Sequence, residues 1–343
     1  TSNMELIPSG IEIQENNLFN IHAERFKMFL HEDSNPESDN LSLSNDEIDQ
    51  IGKLTNDSKN KILSDFLSSE RIDSRKMVSV ILIISFQYLS EKYQAELSIK
   101  SLTKILENDI SFTFNMELID QLIQLIIFYN QNGNTDMIQK SIYIINCFIK
   151  KYSKSEDSSI LPELVHSDYP NILLKCDMKL PEVTCSFWYL LRIQNNKYST
   201  FFDQIYNEKE LKYIMEKYIN ILSEITNEEF SCQDAQFEMF LKYLFKCISI
   251  FPRDSNFDCH LTDIISTIAS CNPSLQIKEI AINLSVKRNF KSMHISHICF
   301  NIIKFIISDI EAQGKGDQVS DKLFLTCLNY LNISFNFWFN DST

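Results

Sequence analysis

The chain has 343 residues, 44% of them hydrophobic, with only 5 glycines and 7 prolines. That much apolar material excludes global disorder, and so few turn-forming residues count against a β-sandwich or a loop-rich α/β enzyme. A net charge of −14 repels phosphate backbones, so nucleic acid is not expected as a partner, whereas basic peptides or proteins are attracted.

The charge is uneven, since residues 1–72 hold 14 acidic and 6 basic side chains. The nine cysteines are an odd number with no CxxC pair. Cys147, Cys185, Cys247, Cys299 and Cys327 fall inside apolar helical patterns and read as small buried hydrophobes in a reducing compartment. No signal-peptide pattern opens the sequence. Its most apolar window, Met77 to Leu89, is shorter than the roughly 20 residues a bilayer requires. The expectation is an intracellular protein, cytoplasmic and/or nuclear, without a membrane partner.

In chain order, residues 1–50 form an acidic, partly flexible arm, and a repeat domain follows over 51–343. The arm contains a short amphipathic piece near 17–30, with Phe19, Phe26, Phe29 and Leu30 available for docking. Residues 31–50 carry seven acids and no lysine or arginine. Ser44 with Glu47 has the spacing of a capping box, which starts a helix near Asn45. From Asp73 onward the periodicity predicts helices at 73–92, 95–108, 116–130, 134–152, 159–166, 169–177, 181–195, 198–206, 208–226, 232–250, 257–271, 273–288, 292–312 and 317–335. Asn272-Pro273 with Gln276 predicts a capped start with proline at the first helical position, and Asn207 with Glu210 a second capping box. Asn115 and Asn134 read as simple caps, while Gly133 and Gly314-Lys315-Gly316 read as stops.

Leu180 to Asn195 shows the recurring outline best. Val183, Phe187, Leu190 and Leu191 make an apolar stripe, and Thr184, Trp188, Arg192 and Asn195 lie on a neighbouring mixed face. The strongest helices begin near 73, 134, 181, 232, 273 and 317; after a first gap of about 61 residues the last four intervals run from the forties to the low fifties, and periods of about 40–47 residues mark armadillo and HEAT arrays. Phe187-Trp188-Tyr189-Leu190-Leu191-Arg192-Ile193 resembles the third-helix run of armadillo repeats of the importin-α kind, with Trp188 in the Trp place and Arg192 in the Asn place. Cys327-Leu328-Asn329-Tyr330-Leu331-Asn332-Ile333 and Ser141-Ile142-Tyr143-Ile144-Ile145-Asn146-Cys147 keep the Asn without the Trp. The resemblance implies an extended peptide held along inner helices by Trp and Asn side chains.

These readings combine into an all-α, right-handed α-solenoid of about five or six irregular armadillo/HEAT-like repeats. The expected work is that of a non-enzymatic scaffold or adaptor binding a protein or peptide along its concave groove. The alternatives are an importin-α-like nuclear transport receptor and a structural subunit of a larger complex. The groove candidates are Asn146, Thr184, Trp188, Arg192, Asn195 and Asn332. Trp188 either faces a guest or packs sideways into the next repeat.

No metal is expected, because His294 and His297 share a helix face that Cys299 does not, and a fourth ligand is missing. No cofactor or small-molecule substrate is expected, since no phosphate loop, GxSxG, HExxH or Rossmann fingerprint occurs. The basic clusters Lys150-Lys151-Lys154 and Lys287-Arg288-Lys291 fall where cations complement a helix dipole. Phe335, Phe337, Trp338 and Phe339 end the sequence either as a folded-back cap or as an interface.

Overall fold

A computed structural model describes residues 43–70, 72, 75–92, 94–110, 112, 115–153, 160–195, 205–227, 235–271, 274–313 and 318–340. Every element among them is helical. The chain divides into two compact units between Leu164 and Val165.

The first unit contains α1 (Asn45–Gly52), α2 (Asn56–Ser68), α3 (Arg75–Leu89), α4 (Ala95–Glu107), α5 (Met116–Asn132) and α6 (Thr135–Tyr152). Helix α7 (Ile160–His166) runs across the division. The second unit contains α8 (Tyr169–Leu173), α9 (Pro181–Gln194), α10 (Glu208–Asn227), α11 (Ala235–Ile250), α12 (Ser255–Cys271), α13 (Leu275–Lys287), α14 (Ser292–Gln313) and α15 (Gln318–Asn340).

Local chemistry sets the helix starts. Ser44 caps α1 by accepting from Glu47 N at 3.3 Å, while its own amide donates to Glu47 Oε2 at 2.9 Å. Asn207 and Glu210 exchange the same pair of bonds at 2.8 and 3.0 Å ahead of α10. Asn115 and Asn134 accept from Leu118 N and Met137 N at the heads of α5 and α6. Gly133 ends α5 at φ +68°, a left-handed conformation that glycine adopts more readily than residues with a Cβ.

Two starts differ from the sequence reading. Helix α13 begins at Leu275 with Ser274 as its cap, not at Pro273 behind Asn272, because Ser274 is itself a preferred cap and accepts from Ile277 N. Helix α2 is additional to the predicted set. Its buried face is Lys59, Leu63 and Phe66, and the lysine at its head interrupts the apolar pattern. Lys59 is only 3% exposed, lays its stem against the core, and donates from Nζ to Gln87 Oε1 at 2.9 Å. The predicted piece at 17–30 and most of the predicted helix at 198–206 lie outside the described residues.

Packing follows the same rule in both units. In the first, α1 packs on α3 and α3 on α5, while α2 packs on α4 and α4 on α6. In the second, α9, α11, α13 and α15 pack in succession, as do α10, α12 and α14. Helices adjacent in sequence also touch, as α3 does α4, α5 does α6 and α14 does α15. Each unit is therefore built from two rows of alternate helices around a core rich in Ile, Leu and Phe. The helices expected to begin near 181, 232, 273 and 317 are the four members of one row, whereas those expected near 73 and 134, α3 and α6, stand in different rows of the first unit.

Candidate binding surface

The α9–α11 pair shows how interior and surface are sorted. Phe187, Leu190 and Leu191 of α9 are buried, with the Phe187 ring 5.7 Å from Tyr206 and 6.3 Å from Tyr218. Thr184 belongs to this interior, which corrects its placement on the groove face. It is 0% exposed, donates to Met178 O at 2.9 Å and accepts from Tyr218 Oη at 3.1 Å. The position is one residue after Val183 and three before Phe187, so a small hydroxyl with two partners is drawn inward.

Trp188 and Arg192 stay on the outer side, one turn apart. The half-buried Trp188 ring lies 4.7 Å from Tyr189 and 6.0 Å from Tyr243 of α11. Lys246, one turn beyond Tyr243, sets Nζ 4.4 Å from the Trp188 centroid and 4.9 Å from that of Tyr243. Arg192 sets Cζ 5.7 Å from the same indole, and the exposed Lys242 stands one turn before Lys246. The result is an aromatic platform with two cations over it and the charge of Lys242 beside one of them. Arg192, Lys242 and Lys246 pair with no described carboxylate.

Electrostatics at this face follow from crowding. Burial, and then the Lys242 charge, hold the Lys246 ammonium below the ordinary lysine value of 10.5. Burial, and then the neighbouring Cys185, push the Tyr243 phenol up, so that ring remains neutral. Two buried thiols of this unit are poor nucleophiles. Burial raises Cys247 well above its ordinary range and takes Cys176 to about 11.

The other candidate residues are dispersed. Asn195 is exposed at the end of α9 and donates to Ile250 O at 3.2 Å, closing the end of α11. Asn332 is exposed on α15. Asn146 is 6% exposed on α6 of the first unit, so it serves the packing there and lines no open face. Trp188 and Arg192 are thus the two candidates the structure brings together, and their chief companions come from α11. Tyr243 and Lys246 were not singled out from the sequence, although their i, i+3 spacing next to a stripe helix is a weak signal of a shared face.

Of the basic clusters, Arg288 is not a surface cation. It is 2% exposed and donates to Phe251 O at 2.6 Å, Ile248 O at 3.3 Å and Pro252 O at 3.4 Å, and its Nε and Nη2 bind Asp258 Oδ1. Among the described residues no group of three or more His, Cys, Asp or Glu is gathered for a metal. Cys299 is buried against Cys327 and shares a side-chain hydrogen bond with it, away from the exposed His297. No family model, no curated protein and no solved structure matches this chain.

Proposed function

We propose that the protein is a non-enzymatic helical-repeat scaffold that holds an acidic segment of a partner protein against the Trp188–Tyr243 platform. The observation that carries this reading is Arg192 and Lys246 over two aromatic rings, with the Lys242 charge beside Lys246, all unpaired by any described carboxylate in a chain of net charge −14. Cations left without partners in so acidic a protein are available to a ligand. Aromatic rings beside them offer flat apolar area of the kind that dominates protein interfaces.

The wider architecture we propose is an irregular, right-handed armadillo/HEAT-like α-solenoid. What supports it is the alternate-row packing in each unit, which is how helical repeats bury faces they cannot bury alone. On this reading the row α9–α11–α13–α15 lines the groove and the platform is its anchoring point. The net charge of the chain favours a basic guest, but a guest meets the local field first, and three cations repel a basic peptide. That weighs against the importin-α-like alternative.

The test is fluorescence anisotropy of the full chain with two labelled peptides, one rich in Glu and Asp with aromatic residues interspersed, the other its lysine counterpart. The acidic peptide is expected to bind with salt-sensitive affinity, and Lys246→Glu to weaken it by about tenfold or more. Equal binding of both peptides, or binding indifferent to Lys246→Glu and Trp188→Ala, would overturn the proposal.

A further inference from the structure

Helix α11 stands between α9 and α13 in its row, and its surface links the two. Counted at about 100° per residue, its buried Phe240, Leu241, Leu244, Phe245, Cys247 and Ile248 share the inner half of the helix. The outer half is centred on Lys246. Tyr243 is displaced about 60° to one side of it, and Lys242 and Ser249 about 40° and 60° to the other. The contacts follow that order. Tyr243 and Lys246 meet Trp188 of α9, whereas Ser249 meets α13, accepting a hydrogen bond from Lys287 Nζ at 3.2 Å. Across α11, from α9 to α13, the sequence of groups is therefore aromatic ring, ammonium, hydroxyl and second ammonium.

Lys287 is exposed at the end of α13 and pairs with no carboxylate among the described residues. Ser249 takes one of its three N–H groups, and two stay open to a ligand. The acids around it are engaged elsewhere. Asp258 holds Arg288, Asp254 accepts from Phe257 N at the head of α12, and Glu238 accepts from Ser274 Oγ at 3.2 Å. Residues three apart on a helix stand about 5–6 Å apart at Cβ. With the 3.2 Å step from Ser249 added, the two ammonium groups lie roughly 7–10 Å apart. Side chains on one side of an extended peptide are two residues apart, which is roughly 7 Å, and the residues between them point the other way.

We infer that Lys246 and Lys287 are paired anchors for two acidic side chains at alternate positions of an extended partner segment, which crosses α11 toward α13 with an aromatic residue two positions earlier on the Trp188–Tyr243 rings. The inference rests on the platform reading above and adds to it a second anchor, a line of travel along the row and a spacing rule. Charge complementarity selects the occupant. Carboxylates at every second residue meet both ammonium groups, whereas adjacent carboxylates leave one of them turned away from the surface. The residues between the anchors face water and carry no requirement.

The experiment is fluorescence anisotropy of the full chain with labelled peptides of one composition, each holding a phenylalanine and two glutamates among serines and glycines. With the glutamates two and four positions after the phenylalanine, binding is expected to be about fivefold tighter than with them adjacent or four apart. Lys287→Glu should erase that preference and weaken the alternating peptide by about fivefold or more. Its helical circular dichroism should not change, because the side chain is exposed. A peptide with lysine in place of the second glutamate should bind Lys287→Glu better than the unaltered chain, a crossover that a general fold defect would not give. Affinity that depends on Lys246 but is indifferent to Lys287→Glu and to spacing would overturn the second anchor and leave the platform standing. Affinity indifferent to both Lys246→Glu and Trp188→Ala would remove the platform and this inference with it. Displacement of the peptide by a single-stranded oligonucleotide of equal charge at equal concentration would assign the track to a phosphate backbone and overturn the inference as well.

Discussion

The inner helix ends and the Trp188 face use the same side chains for opposite purposes. At the inner ends a cation is aimed at carbonyls. Lys104 of α4 donates to Phe66 O, Leu67 O and Ser69 O at 2.5–3.1 Å where α2 ends. Lys278 of α13, 0% exposed, donates to Ala269 O near the end of α12 with Nζ 4.2 Å from the Phe305 ring. Arg288 closes the end of α11 and neutralises Asp258. At the Trp188 face, Arg192 and Lys246 have aromatic rings beside them, Lys242 adds its charge next to Lys246, and none of the three has an acceptor among the described residues. The difference separates cations that belong to the fold from cations that remain for a guest: the first replace water at orphan carbonyls, the second keep their hydrogen-bonding capacity open.

The strongest way to break this comparison is Arg288→Met. It leaves Asp258 without its buried counter-charge and three carbonyls without a donor, so a loss of about 3–5 kcal/mol is expected in urea unfolding followed by circular dichroism. A loss below about 1 kcal/mol would show that water closes the end of α11 equally well. Lys104→Met is next, at about 2 kcal/mol, since its site keeps a path to solvent and no carboxylate is stranded. Lys246→Met should change stability by no more than about 0.5 kcal/mol while lowering acidic-peptide affinity. The smallest effect is in pH. Binding needs the ammonium form, and Lys246 is held below 10.5, so acidic-peptide affinity should fall on raising the pH before an ordinary lysine would titrate. In Lys246→Met that early part of the fall should disappear.

What could be read from the chain alone depended on how far apart the interacting residues stood. The boxes at Ser44–Glu47 and Asn207–Glu210 span three residues and were legible with their partners. The four-helix row of the second unit was legible because each member carries its own stripe, but the strong helices near 73 and 134 fall in different rows, since which neighbour a stripe meets is set by packing. The face of Thr184 was not, since its hydroxyl is fixed by Met178 and by Tyr218 on another helix. Arg288 looked like one of three basic residues at a helix end, and its acceptors lie 30 to 40 positions away. The Trp188 platform was half legible. The indole and Arg192 share a helix, but Tyr243 and Lys246 arrive from a neighbour that only packing selects.

The closure around Arg288 has a counterpart. Arg253, in the connection between α11 and α12, donates to Lys287 O at 3.1 Å and to Arg288 O, at the end of α13. Two arginines, each gripping the peptide groups beside the other, act as a double latch that sets how far one rung of the row can slide past the next. The stretch from Phe251 to Asp258 is consequently gauged in length. An extra residue there would carry Arg253 out of reach of its carbonyls and shift Asp258 off the guanidinium, even though Pro252 and Arg253 face water and would otherwise look like a harmless place to lengthen the chain.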